Sequence, residues 1–137
     1  MNLWRRFARF YGVGALGIGV QVAALWALTA LAGVNYLAAT VLAVGAAIVH
    51  NFLWHIHWTW RDRARPGAEA WAMFARFVAA NGVVSFTGNA IVMAALTGRG
   101  GMPPVLANLI AIAVCALVNF WLGDRVVFRA PTPAAEP

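Results

Sequence analysis

Apolar residues run in four blocks along the chain, and polar residues collect between and at the ends of them. The blocks cover about Tyr11–Leu31, Tyr36–Trp54, Phe74–Leu96 and Pro104–Leu122. Each approaches or exceeds the roughly 20 residues a helix needs to cross a bilayer. The segment Ala32–Asn35 (AGVN) is short enough to be only a turn, and Thr97–Pro104 (TGRGGMPP) carries the glycines and prolines that stop one helix and start another. The longest polar stretch, Arg61–Trp71, separates the first pair of blocks from the second. The pattern predicts an all-α integral membrane protein with four transmembrane helices.

The pattern also repeats. FARF occurs at Phe7–Phe10 and at Phe74–Phe77, 67 positions apart. NFLWHIHWTWR (Asn51–Arg61) and NFWLGDRVVFR (Asn119–Arg129) share an Asn-Phe pair and an aromatic-Arg end, both 68 apart. Polar positions inside the blocks follow the same offset: Gln21 with Asn89, Thr40 with Asn108, Asn51 with Asn119. One two-helix unit used twice explains this, with repeat 1 at about 7–61, repeat 2 at about 74–129 and a flexible tail at 130–137. Two helices per unit return the chain to its starting side, so the repeats are expected to be parallel, within a single transmembrane domain over 1–137.

Composition sharpens the membrane reading. The chain is 63% hydrophobic and 10% charged, against about 25% charged in soluble domains. Its ten basic residues are all arginine. Nine of them (Arg5, Arg6, Arg9, Arg61, Arg63, Arg65, Arg76, Arg125 and Arg129) fall on one side of the four-block arrangement, and Arg99 alone on the other. This asymmetry predicts a multi-pass protein of the cytoplasmic membrane with both termini in the cytoplasm. Arginines flanking apolar blocks are lipid-headgroup anchors rather than a nucleic-acid stripe, so no nucleic acid is expected. Arg5 and Arg6, furthest out, are expected to be satisfied by the phosphates of any lipid. The basic start and the ALA at Ala30–Ala32 imitate a signal peptide, but the apolar block is too long for one.

The polar residues inside the blocks admit two readings. Asn81, Ser85 and Asn89 are spaced by four, and Asn108, Cys115 and Asn119 by seven and four, so each set shares a helical face. Hydrogen bonds between helices are one use, at about 0.6 kcal/mol each. An uncharged polar path for a hydroxyl-rich group is the other. The ladder Ala15, Gly19, Ala23, Ala27 offers a surface for close helix packing. No carboxylate lies deep in a block: Asp62, Glu69, Asp124 and Glu136 all sit near or beyond the ends. A proton-coupled exporter needs such a group, which disfavours a small-molecule exporter.

His50, His55 and His57 crowd the end of the second block, yet their spacing does not place them on one face, and no metal or other cofactor is expected. The tryptophans nearby (Trp54, Trp58, Trp60, Trp71) suit an interfacial belt. The alternation in HIHWTW and the β-branched RVVF suggest short extended pieces at both ends. No nucleophile–base pair or phosphate-cradling loop is in place, so an enzyme is not expected.

The assembled motifs resemble the GtrA-like family of small four-span membrane proteins: RFYGVG at Arg9–Gly14, Asn51-Phe52 followed by WTW at Trp58–Trp60, FARF at Phe74–Phe77 and NFWLGDRVVF at Asn119–Phe128. The resemblance extends over roughly Phe7–Arg129. It implies cell-surface polysaccharide synthesis, by flipping or presenting a polyprenyl-phosphate-linked sugar across the cytoplasmic membrane. The alternative is a non-transporting anchor or partner subunit of a membrane glycosyltransferase. The family's basic residue before the aromatic pair is replaced here by Ile56 and His57, and its usual Trp by Val126. On this reading Arg9, Arg76 and Arg125 capture phosphate, with His57 as a weaker contact. Asn51, Asn119, Asn81, Ser85, Asn89 and Gln21 replace water around the sugar. Membrane lipid and a second copy of the chain are further expected partners.

Overall fold

In the computed structural model, residues 2–129 are described; the predicted flexible tail at 130–137 lies outside them. The chain divides into two compact units, Met1–Ala64 and Arg65–Pro137. The first holds α1 (Leu3–Leu31) and α2 (Tyr36–Thr59), the second α3 (Ala68–Arg99) and α4 (Pro104–Val127). Even the 24-residue α2 and α4 are about 36 Å long at 1.5 Å per residue, enough for a hydrocarbon core of about 30 Å. All four are long and apolar enough to cross a membrane. Most of their large apolar side chains point outward, Trp4, Trp26 and Phe86 among them, as lipid-facing helices require.

The helices start and stop for local reasons. The Asn2 side chain accepts the Arg5 N–H at 3.0 Å, and the Asn35 side chain accepts the Leu37 N–H at 2.9 Å, each satisfying a first-turn donor. Pro104 occupies the first turn of α4, where a missing N–H costs nothing. α1 and α3 end alike. Gly33 and Gly101 both take φ of 64°, a conformation that favours glycine. The next N–H reaches back across the end: Val34 to the Leu28 oxygen at 2.9 Å and Met102 to Leu96 at 3.0 Å.

Inside the first unit, α2 buries Ala39, Ala43 and Ala47, one turn apart. Asn51 continues that face, and there it meets Gly17 of α1. Inside the second, α4 buries Ala107, Ala111 and Cys115, and Cys115 meets Gly88 of α3. Small side chains on these faces let the paired backbones approach closely. The predicted ladder does not serve this purpose: Ala15, Gly19 and Ala23 are exposed, and Val13 and Gly17 are the buried positions on that part of α1.

Two further expectations are corrected. HIHWTW and RVVF do not leave the helix as extended pieces. α2 and α4 continue through wide π-helical turns, His55–Thr59 and Gly123–Val127, and close with Trp60 N–H to the His55 oxygen at 2.8 Å and Phe128 N–H to Gly123 at 2.9 Å. Trp60 and Phe128 are fully buried; the aromatic side chains plug the helix ends, which overrides the period-two pattern. α1 and α3 also begin earlier than the apolar pattern suggests, at Leu3 and Ala68, because polar first turns are helical outside the bilayer.

α3 contains a π-helical turn at Val84–Gly88 that has no counterpart in α1. Phe10 and Gln21 are 11 apart, whereas their counterparts Phe77 and Asn89 are 12 apart. The π turn lies between the latter pair and takes up the one extra residue. The change in sequence offset from 67 to 68 falls across this turn.

Candidate functional site

The arginine-rich end of the first unit is tied together. Arg6 is buried and its guanidinium donates to the Asp62 carboxylate. Burial alone would raise the Asp62 pKa, but a bond from its own backbone N–H and the charges of Arg6 and Arg63 outweigh this and hold it below the ordinary carboxylate range. Arg6 is therefore not a lipid-satisfied anchor as expected from its distance along the chain; the loop after α2 brings an acid back to it. Arg9 donates to the backbone oxygen of Trp58 at 2.7 Å, and its guanidinium lies 5.1 Å from the centre of the same indole, a cation–π arrangement. Beneath them Phe10 stacks on His55 at 5.2 Å and 10°, and His55 shares a hydrogen bond with Thr59 at 3.1 Å. His57 is exposed and His50 contacts the Asn51 side chain at 3.2 Å. Among the described residues no cluster of three or more His, Cys, Asp and Glu side chains stands in position to hold a metal ion.

The same end of the second unit is built differently. Phe77 and Phe128 pack with ring centres 6.3 Å apart, but the arginines beside them point out. Arg76 is exposed, and its Nε donates to Ala72 of its own helix at 3.1 Å. The Arg125 side chain is 70% exposed, with Nε 3.8 Å from an Asp124 oxygen, too far for a hydrogen bond.

The polar residues at depth differ in what they bond. Asn81 turns its amide onto the Phe77 oxygen at 2.9 Å, and Asn89 donates to Asn108 across the hairpin at 3.4 Å, so both serve the helices. Ser85, within the π turn, is exposed. Cys115 donates its thiol to Val84 at 3.5 Å, alongside that turn. Asn51 fills the space beside Gly17, whereas the side-chain oxygen of Asn119, its counterpart, is buried without a hydrogen-bond partner among the described residues. Gln21 is half-buried in α1. Sequence reasoning missed Asp62 and Trp58 as arginine partners and the π turn. The offset change from 67 to 68 was a visible signal for the last.

Arg6 apart, these features lie within a recognised sequence pattern: the family described as GtrA/DPMS, transmembrane domain, matches residues 9–134. The chain belongs to that family. No curated protein shows significant similarity to it. Membership in the GtrA/DPMS family associates this multi-pass membrane protein with lipid-linked sugar and polysaccharide synthesis.

Proposed function

We propose that the protein moves a polyprenyl-phosphate-linked sugar across the cytoplasmic membrane, or presents it there, for cell-surface polysaccharide synthesis. Both termini are cytoplasmic in this proposal, and the protein acts as a carrier rather than an enzyme. The tail of such a substrate can stay in lipid throughout; only the phosphate and sugar must cross. A bare charge in hydrocarbon costs many kcal/mol, and guanidinium groups offset that by paired, charge-assisted hydrogen bonds to phosphate oxygens. Sugar hydroxyls then need uncharged donors and acceptors at depth.

The observation that carries this reading is the Asn119 side-chain oxygen of α4, buried and without a hydrogen-bond partner among the described residues. A buried polar atom without a partner is costly, and a sugar hydroxyl would complete it. The absence of a carboxylate deep in the helices fits movement down a gradient rather than proton-coupled export.

Reconstitution tests the proposal. Purified protein in vesicles should accelerate leaflet exchange of a fluorescent polyprenyl-phosphate sugar over protein-free vesicles. No acceleration, together with stable association with a membrane glycosyltransferase, would support a non-transporting partner subunit instead.

A further inference from the structure

Arg9 of the first hairpin and Arg76 of the second are engaged differently, and part of that difference has a sequence cause. In the first unit, Arg9 is held by the carbonyl and ring of Trp58, and Arg6 by Asp62. The positions 68 further on are Val126 and Ala130. Val126 keeps a backbone carbonyl but has no ring on which a guanidinium can lie, and Ala130 has no carboxylate. Arg76 thus keeps the place of Arg9 without the indole beside it, the place of Arg6 is taken by Met73, and Arg125 stands where the first unit has His57. Arg76 uses only Nε, on its own helix, and Arg125 makes one distant approach to Asp124. The terminal nitrogens of both have no partner among the described residues. Arg76 directly precedes Phe77 and Arg125 lies three residues before Phe128; contact between those two rings puts both arginines at one end of the same hairpin.

We infer that Arg76 and Arg125 of the second hairpin form the phosphate-binding site for the polyprenyl phosphate, while Arg9 of the first hairpin is a positioning residue that locks α1 to the end of α2. The inference rests on the proposed handling of a polyprenyl-phosphate-linked sugar, and it removes Arg9 from the capture set that sequence symmetry suggested. Two outward guanidinium groups whose terminal nitrogens have no partner among the described residues suit a phosphate with several accessible oxygens. A guanidinium already bonded to a carbonyl and covered by an indole has less to offer one.

The test uses the full chain in phosphatidylcholine nanodiscs, with a polyprenyl monophosphate as the probe and phosphatidylglycerol as the competitor. The double variant Arg76→Gln/Arg125→Gln should bind the probe at least about tenfold more weakly, the scale of losing charge-assisted hydrogen bonds, while its helix content and melting temperature stay near wild type. Arg76→Lys/Arg125→Lys should recover part of the affinity. Arg9→Gln should bind within about twofold of wild type and melt at a lower temperature. Full binding by the double Gln variant, or an equal loss in Arg9→Gln, would overturn the assignment while leaving the proposed function standing. Equal competition by phosphatidylglycerol would mark the pair as a general headgroup anchor and also overturn it. Failure of the wild type to bind the probe would sink both the assignment and the proposed function.

Discussion

Gly17 lies against the side-chain amide of Asn51 so closely that a methyl group at position 17 would overlap its Cγ, Oδ1 and Nδ2. The contact joins α1 to α2 at the level where the small-residue face of α2 gives way to a polar side chain. Gly17→Ala should destabilise the hairpin by about 1–3 kcal/mol, the usual cost of overpacking. A methyl group at Gly19 would meet nothing within 4 Å, so Gly19→Ala should be neutral or gain up to about 1 kcal/mol from helix propensity. Thermal unfolding in detergent compares the two, and equal effects would refute the packing described.

The Arg6–Asp62 pair gives the arginine-rich end a pH dependence. The Asp62 pKa is depressed in the folded protein, so its contribution is present above the unfolded value of about 3.9 and fades as the pH falls through the folded one. Asp62 is partly open to solvent, which screens the pair, and Asp62→Asn should cost only about 1 kcal/mol at neutral pH. The sharper outcome is the difference between the two proteins: it should be constant at neutral pH and shrink below about pH 4. A difference that grows on acidification would contradict the linkage.

The π turn in α3 predicts an unusual tolerance. Deleting a residue from a regular helix rotates everything beyond it by about 100°. Deleting Phe86, exposed within the π turn at Val84–Gly88, should instead convert that turn to α-helix, as in α1. The register of Asn89 with Asn108 then survives. Deletion of Ala113, in the middle of the uninterrupted α-helical stretch Pro104–Leu122, has no such outlet beside it and should be far more damaging. Melting temperatures of the two deletion proteins check this.

Much of this arrangement was legible in the sequence because it depends on local signals. Apolar length gave the four helices, and Tyr36, Pro104 and the glycine turns gave their limits. Offsets of 68 also pick out matching buried positions: Ala39 and Ala107, Ala43 and Ala111, Phe52 and Phe120, Trp60 and Phe128. What could not be read were pairings between residues distant along the chain. Arg6 and Asp62 are 56 apart, and nothing local distinguishes them from Arg5 or Glu69. The extended reading of HIHWTW failed because burial of Trp60 decides that segment, and periodicity carries no information about burial. Asn119 was identified as a polar position, but its lack of a partner among the described residues follows only from the packing around it.

The arginine asymmetry predicts the orientation, and direct labelling tests it. Cys115 is buried, and its counterpart in the first unit is Ala47, also buried, so Cys115→Ala should be a benign background. In it, a membrane-impermeant maleimide added outside the cell should label Gly100→Cys and spare Gly67→Cys. Labelling of Gly67→Cys alone would reverse the topology and place the arginines outside.

The central claim, that the protein handles a lipid-linked sugar phosphate through its second hairpin, is tested most directly by the initial rate of leaflet exchange of a fluorescent polyprenyl-phosphate sugar. Wild type, Arg125→Gln, Arg125→Lys and Arg5→Gln would be compared at equal protein density in vesicles. Arg125→Gln removes the charge and the fork, Arg125→Lys only the fork, and Arg5 lies outside the proposed site. The expected result is a loss of about tenfold or more for Arg125→Gln, a smaller loss for Arg125→Lys and little change for Arg5→Gln. A wild-type rate no faster than that of empty vesicles, or an Arg125→Gln rate equal to wild type, would contradict the claim.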